Sequence, residues 1–286
     1  MIHLNSPKGL IALDIDGTIT SDTHGIPQEV IAYLSSLAQE GWCLIFITGR
    51  PFVWTQSTLE ELRFPYWLAV QNGALILEMP QQTIFRRKYL DKKLLPLMDV
   101  LCEHFQTDYA IYAGYDHNDI CYYRPHKWSK SLQTYLKNRF TTLKEKWIAV
   151  DSYEALPIEN FAAVKCFAHQ ELGGEELCHG IEALGLHSPL NKDPFDPHYY
   201  VIQGTHAEAT KGAALNFFSK NFTPPLPIIA CGDDSNDFSM LCLADVKVVM
   251  SDAPPAILEL ATVIAPPAEQ NGIIPGLKQA LLALNK

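Results

Sequence analysis

The sequence predicts an α/β protein in which a parallel-sheet core is split by an inserted α+β domain. Two observations carry the core: strand-length apolar runs end abruptly in polar or acidic residues near Asp14, Thr48 and Asp233, and helical periodicity fills the intervals between them. A third marks the insertion, where strand candidates become shorter and aromatic and basic residues thicken. The boundaries read as residues 1–83 for the first core segment, 84–203 for the insertion and 204–286 for the second core segment.

The first element is Leu10-Ile11-Ala12-Leu13, an unbroken apolar run that stops at Asp14-Ile15-Asp16-Gly17-Thr18. Such a run reads as a buried parallel strand whose carboxyl end opens onto the ligand edge of the sheet. Two carboxylates two residues apart are costly to bury unless a cation sits between them. A hard divalent ion such as Mg²⁺ suits that place, because it takes oxygen ligands and holds one or two carboxylates beside a substrate phosphate. Asp14 then reads as a nucleophile and Asp16 as a proton carrier, with Gly17 turning the chain sharply and Thr18 settling the turn.

Apolar positions Val30, Ile31, Leu34, Leu37 and Ala38 recur at helical spacing between Pro27 and Gly41. A second buried strand follows over residues 42–48, and the handedness of the crossover puts Thr48-Gly49-Arg50 on the same edge as Asp14. A third strand over residues 67–70 enters the tight turn Gln71-Asn72-Gly73-Ala74 and leaves through Leu75-Ile76-Leu77.

In the insertion, strands are expected over residues 110–112, 121–124, 163–167 and 199–203, and helices over 94–105, 131–140 and 174–184. Residues 188–197 carry three prolines and read as a connecting segment. The α/β pattern then returns: a helix starting at Lys211, a strand over 228–231 that ends in Gly232-Asp233-Asp234-Ser235-Asn236-Asp237, strands over 246–250 and 263–265, and a last helix over 274–284.

The composition narrows the partners. A formal net charge of −10 over 286 residues argues against nucleic acid and anionic membrane surfaces, so an anionic ligand must be met locally. The seven cysteines include no Cys-x-x-Cys pair, which fits buried thiols in a reducing compartment. Residues 1–8 lack the pattern of a secretory signal, and no apolar stretch is long enough to span a bilayer, so the expectation is a cytoplasmic protein, with monomer and homodimer both open.

Acids, a hydroxyl and the amine of Lys211, gathered at neighbouring strand ends, match phosphoryl transfer, with Thr48 and Lys211 gripping phosphate oxygens. Asp14-Ile15-Asp16-Gly17-Thr18, Thr48-Gly49-Arg50, Lys211-Gly212 and Gly232-Asp233-Asp234-Ser235-Asn236-Asp237 resemble the four ordered motifs of the haloacid dehalogenase (HAD) superfamily of phosphatases. The insertion resembles, in position and size, the C2-type cap of the Cof-like subfamily, which also commonly has a turn such as Asn72-Gly73-Ala74.

The resemblance implies a Rossmann-like core and a Mg²⁺-dependent hydrolase that releases phosphate from a small phosphorylated metabolite, such as a sugar phosphate, through an aspartyl-phosphate. Asp14 would be phosphorylated, and Asp16 would protonate the leaving oxygen and then activate water. Mg²⁺ would be held by Asp14, the backbone carbonyl of Asp16, and Asp233. Asn236 would contact phosphate or a metal-bound water, and Asp237 would steer Lys211 from outside the ligand set. Thr48, Gly49, Arg50 and Asn72 are candidate phosphate or substrate contacts, while Arg50 and Asn72 read equally well as residues that hold loops in place. Met250-Ser251-Asp252-Ala253 departs from the Gly-Asn-Ala of many relatives. Two other readings use the same residues: a sugar-phosphate phosphotransferase or mutase, and a non-enzymatic phosphate-responsive signalling module.

Overall fold

The computed structural model describes residues 7–22, 24–143, 145–169, 173–193, 196 and 198–284. The first six residues of the segment read as lacking a signal lie outside the described residues. The chain divides into two compact units, one made of Met1–Arg50, Thr55–Arg87 and Thr210–Lys286, the other of Pro51–Trp54 and Lys88–Ala209.

The first unit begins with β1 (Gly9–Leu13), α1 (Gln28–Gln39) and β2 (Trp42–Ile47). The short helix α2 (Phe52–Thr58) leads to β3 (Tyr66–Val70), a single turn over Gln71–Gly73, β4 (Leu75–Met79) and β5 (Thr83–Arg87). β5 pairs antiparallel with β4, so this unit runs to Arg87 and does not end at residue 83. Its residues alternate between exposed and half-buried, as befits an edge strand with one covered face.

The second unit contains β6 (Leu90–Asp91), α3 (Leu95–His104), β7 (Tyr109–Tyr112), β8 (Cys121–Tyr123), α4 (Lys130–Leu143), β9 (Trp147–Ala149), β10 (Asn160–Phe161) and β11 (Ala163–His169). It closes with α5 (Gly174–Ala183), β12 (Leu186–His187), β13 (Leu190–Lys192) and β14 (Tyr199–His206). β11 lies between β14 and β7, antiparallel to both. The period-2 alternation of β11 gives the sheet two covered faces. Val164 and Cys166 pack with Met98 of α3 and Ile181 of α5, while Ala163 and Phe167 pack with Leu132 and Leu136 of α4.

Two expectations for this unit are corrected. Leu190–Lys192 is a strand paired with β14, although residues 188–197 read as a connection; residues 194, 195 and 197, with two of the three prolines, lie outside the described residues. β14 also runs to His206, because Leu186 and His187 pair with its last residues, and the unit ends at Ala209 where 203 was expected.

The chain re-enters the first unit with α6 (Lys211–Ser219), β15 (Ile228–Gly232), α7 (Phe238–Leu241), β16 (Val246–Met250), α8 (Pro255–Leu258), β17 (Val263–Ala265) and α9 (Ile273–Leu284). The sheet order is β17-β16-β15-β1-β2-β3-β4-β5, parallel from β17 to β3 and antiparallel at β4 and β5. One face packs Leu10, Ala12 and Ile45 against Leu215 and Phe218 of α6 and Met240 of α7. β1 is central and wholly buried, which explains its unbroken apolar run.

Candidate active site

Register builds the site. Leu13 is level with Phe46 on one neighbour and Cys231 on the other, so the three strands β1, β2 and β15 end side by side. Asp14 continues this alignment, its N–H donating to the Cys231 carbonyl at 3.0 Å. Thr210 caps α6, its Oγ1 accepting the Ala213 N–H at 3.0 Å, and so places Lys211 in the first turn.

Lys211 is fully buried, and its Nζ lies 2.6 Å from Asp14 Oδ1 and 2.7 Å from Asp237 Oδ1. Burial works against the ammonium, yet the two carboxylates hold its pKa above the ordinary lysine range. Asp237 is fully buried too, and its Oδ2 accepts the backbone N–H groups of Asp233 and Asp234 at 3.0 and 3.1 Å. One carboxylate thus anchors the lysine and folds the acidic loop after β15. Asp234 caps the turn that follows, accepting the Ser235 N–H.

Asp14, Asp233 and Asp237 each offer an oxygen within 4.8 Å of the others. Burial pushes Asp14 up to about 7 against the pull of Lys211, with Asp237 and Asp16 adding to the rise. Burial, then Asp14 and Asp237, likewise lift Asp233 well above the carboxylate range. Crowded carboxylate oxygens beside the Lys211 ammonium suit a hard divalent cation, and the donor set fits Mg²⁺ in kind.

Thr18 does more than settle a turn: its Oγ1 donates to Asp233 Oδ1 at 2.8 Å. Gly17, at φ +73°, brings its backbone so close to the Asp233 carboxylate that a Cβ there would collide with it. The signal available in the sequence was the position of both residues immediately after the acidic pair.

Asp16 stands apart from the carboxylate cluster. Arg50, itself buried, donates from Nε to Asp16 Oδ2 at 2.7 Å and from Nη2 to Asp16 Oδ1 at 2.5 Å, while Nη1 donates to Thr58 Oγ1 at 2.7 Å. The guanidinium, read from the sequence as either a substrate contact or a loop anchor, is committed to the Asp16 carboxylate. Thr48 is buried and its Oγ1 accepts the Arg50 N–H at 3.1 Å across Gly49. Asn72 is buried beside it, its N–H donating to the Thr48 carbonyl at 2.8 Å, and Asn236 Oδ1 is buried with no partner among the described residues. Gln71, which the sequence reading passed over as part of a turn, is as buried as Asn72.

A sequence profile of haloacid dehalogenase-like hydrolases matches residues 11–277. Phosphatase YwpJ of Bacillus subtilis is 25% identical over 300 residues, covering 95% of this chain and 99% of that one. The HMP-PP phosphatase of Serratia proteamaculans is 24% identical over 259 residues, covering 88% and 86%. Among solved structures, the HAD subclass IIB sugar phosphatase BT4131 superposes with a TM-score of 0.72 at 21% identity, covering 95% of this chain and 98% of that one. The fold is thus that of a HAD core with its inserted cap.

Proposed function

Because the chain belongs to the haloacid dehalogenase-like hydrolases and its relatives are phosphatases, we propose that it is a Mg²⁺-dependent phosphomonoesterase acting through an aspartyl-phosphate. The observation that carries this reading is the buried Lys211 held between Asp14 and Asp237 at the shared end of three strands. Lys211 engages Asp14 Oδ1 and leaves Oδ2 as the attacking oxygen.

In the first half-reaction Asp14 Oδ2 forms a bond to phosphorus as the ester P–O bond breaks, and Asp16 gives its proton to the departing oxygen. In the second, Asp16 takes a proton from water, the water oxygen bonds to phosphorus, and the bond to Asp14 breaks to release inorganic phosphate. Thr48 and Lys211 grip the phosphate oxygens, and Arg50 keeps Asp16 in position for both proton transfers. Bound Mg²⁺, held by Asp14, Asp233 and the Asp16 carbonyl, would supply positive charge against the transferring phosphoryl group.

Membership of an enzyme family sets aside the non-enzymatic signalling module. The test is release of inorganic phosphate from p-nitrophenyl phosphate with Mg²⁺, compared with Asp14→Asn. Turnover undiminished in the variant refutes the nucleophile. Transfer to an added sugar in preference to water would select the phosphotransferase reading.

A further inference from the structure

The second unit carries a pocket of about 510 Å³ between β8 and α4. Tyr123 of β8, Trp128 just before α4, and Leu136 and Phe140 of α4 form its apolar wall, and the exposed Lys130 and Lys137 complete the lining. Tyr123 and Trp128 stack, their ring centroids 5.6 Å apart and their planes 23° from parallel, and Phe140 meets Tyr123 at 5.6 Å. The volume is that of a small-molecule site, and the rings offer a flat ligand a surface to stack on.

Charge gives the ligand its chemistry. Residues 124–146 hold seven of the chain's 22 lysines and arginines and one of its 32 acids, in a protein of net charge −10. Arg124 and Arg139 of that stretch are buried in ion pairs with aspartates, whereas Lys130 and Lys137 have no carboxylate partner among the described residues. These two lysines lie seven residues apart on one face of α4, about 10 Å along its axis, and so bracket the pocket with positive charge. Trp128 is 5% exposed, and its indole N–H has no hydrogen-bond partner among the described residues, so the wall also holds an unpaired donor.

We propose that this pocket binds a nucleoside monophosphate, with the base against the aromatic wall and the phosphate on Lys130 or Lys137. A nucleobase is flat and carries ring-nitrogen and carbonyl acceptors at its edge to match the indole donor, and lysine takes phosphate as a point charge. A sugar phosphate brings no ring to the wall, and a nucleoside brings no charge to the ammonium groups. The site uses residues of the second unit alone and none of the acids around Lys211, so it does not depend on the phosphatase reading.

The experiment titrates AMP, adenosine and ribose 5-phosphate into the full chain by calorimetry in EDTA. The wild type should bind one AMP, with adenosine and ribose 5-phosphate each weaker by about ten-fold or more. Lys130→Glu combined with Lys137→Glu, both at exposed positions, should weaken AMP by about ten-fold or more and leave adenosine unchanged. Trp128→Phe, which keeps a ring and removes the indole N–H, should weaken AMP and adenosine by the same factor; should it fail to fold, the lysine pair decides. Asp14→Asn should bind AMP as the wild type does. No saturable binding of AMP, ribose 5-phosphate bound as tightly as AMP, affinity untouched by the lysine pair, or affinity lost in Asp14→Asn would each overturn the site. Phosphate release from p-nitrophenyl phosphate tests the phosphatase reading separately, and its absence would leave this assignment standing.

Discussion

Arg50 and Asp16 face each other in a two-bond clasp, with Nε to Oδ2 at 2.7 Å and Nη2 to Oδ1 at 2.5 Å. The guanidinium is buried while the Asp16 side chain remains 38% exposed, so the buried partner holds the orientation of the exposed one. In the proposed mechanism, Asp16 without the clasp keeps its acid–base role and loses its aim. Arg50→Lys should therefore lower kcat by about 100-fold, the scale of one positioned acid–base group, with little change in KM. Steady-state kinetics checks this, and a rise in KM at constant kcat would place Arg50 on the substrate instead.

Lys211 bridges the buried carboxylates Asp14 and Asp237. Its removal leaves the two buried carboxylates without the cation they share, with Asp233 nearby. Lys211→Met should abolish phosphate release and destabilise the fold by about 3 kcal/mol, as expected when a buried pair loses one partner. Urea denaturation without added divalent cation reads the second effect.

Asp14 is held near pH 7 by burial, with Lys211 opposing the rise. A raised carboxyl pKa means that a proton occupies the site below about 7, and a cation must displace it. Mg²⁺ affinity should accordingly rise with pH through the window around 7, and binding should release protons. Calorimetry in two buffers of different ionisation enthalpy counts those protons, and removal of the cation with EDTA should stop turnover.

Lys165, buried on β11 with Nζ 4.3 Å above the Tyr112 ring, is pushed down to about 8 by burial, although Glu145 favours its charge. Between pH 8 and the ordinary lysine value of 10.5 the unfolded chain holds a proton that the folded chain has lost, so this group's contribution to stability rises with pH across that window. Below it, the folded state carries the full cost of a buried ammonium. Relative to Lys165→Met, the wild type should be least favoured near pH 7 and should recover as pH approaches 10. Paired urea titrations at the two pH values measure the change.

Most of the site could be read from the chain because its acids end apolar runs. Asp14, Thr48 and Asp233 stand out where buried strands stop, and a parallel crossover makes strand ends neighbours whatever the loops do. β5 escaped because an edge strand with one half-covered face has no apolar run to mark it. β13 escaped because nearby prolines argue against pairing, although the strand itself contains none. Gln71 escaped for a different reason: a turn sequence announces its backbone shape and says nothing about whether its side chain will be buried without a partner.

The sequence by itself determined the run of strands and helices in the core, the position of the insertion, the acids at the strand ends and the lysine at a helix start. Those signals are local, since periodicity, apolar run length and turn chemistry are each written within about ten residues. The tertiary structure alone decided which charge meets which: Arg50 with Asp16, Thr18 with Asp233, and Lys211 shared by Asp14 and Asp237. Such pairings join residues up to 215 positions apart, as Thr18 with Asp233 shows. They depend on tenths of an ångström, which only the packed register of all the strands can set.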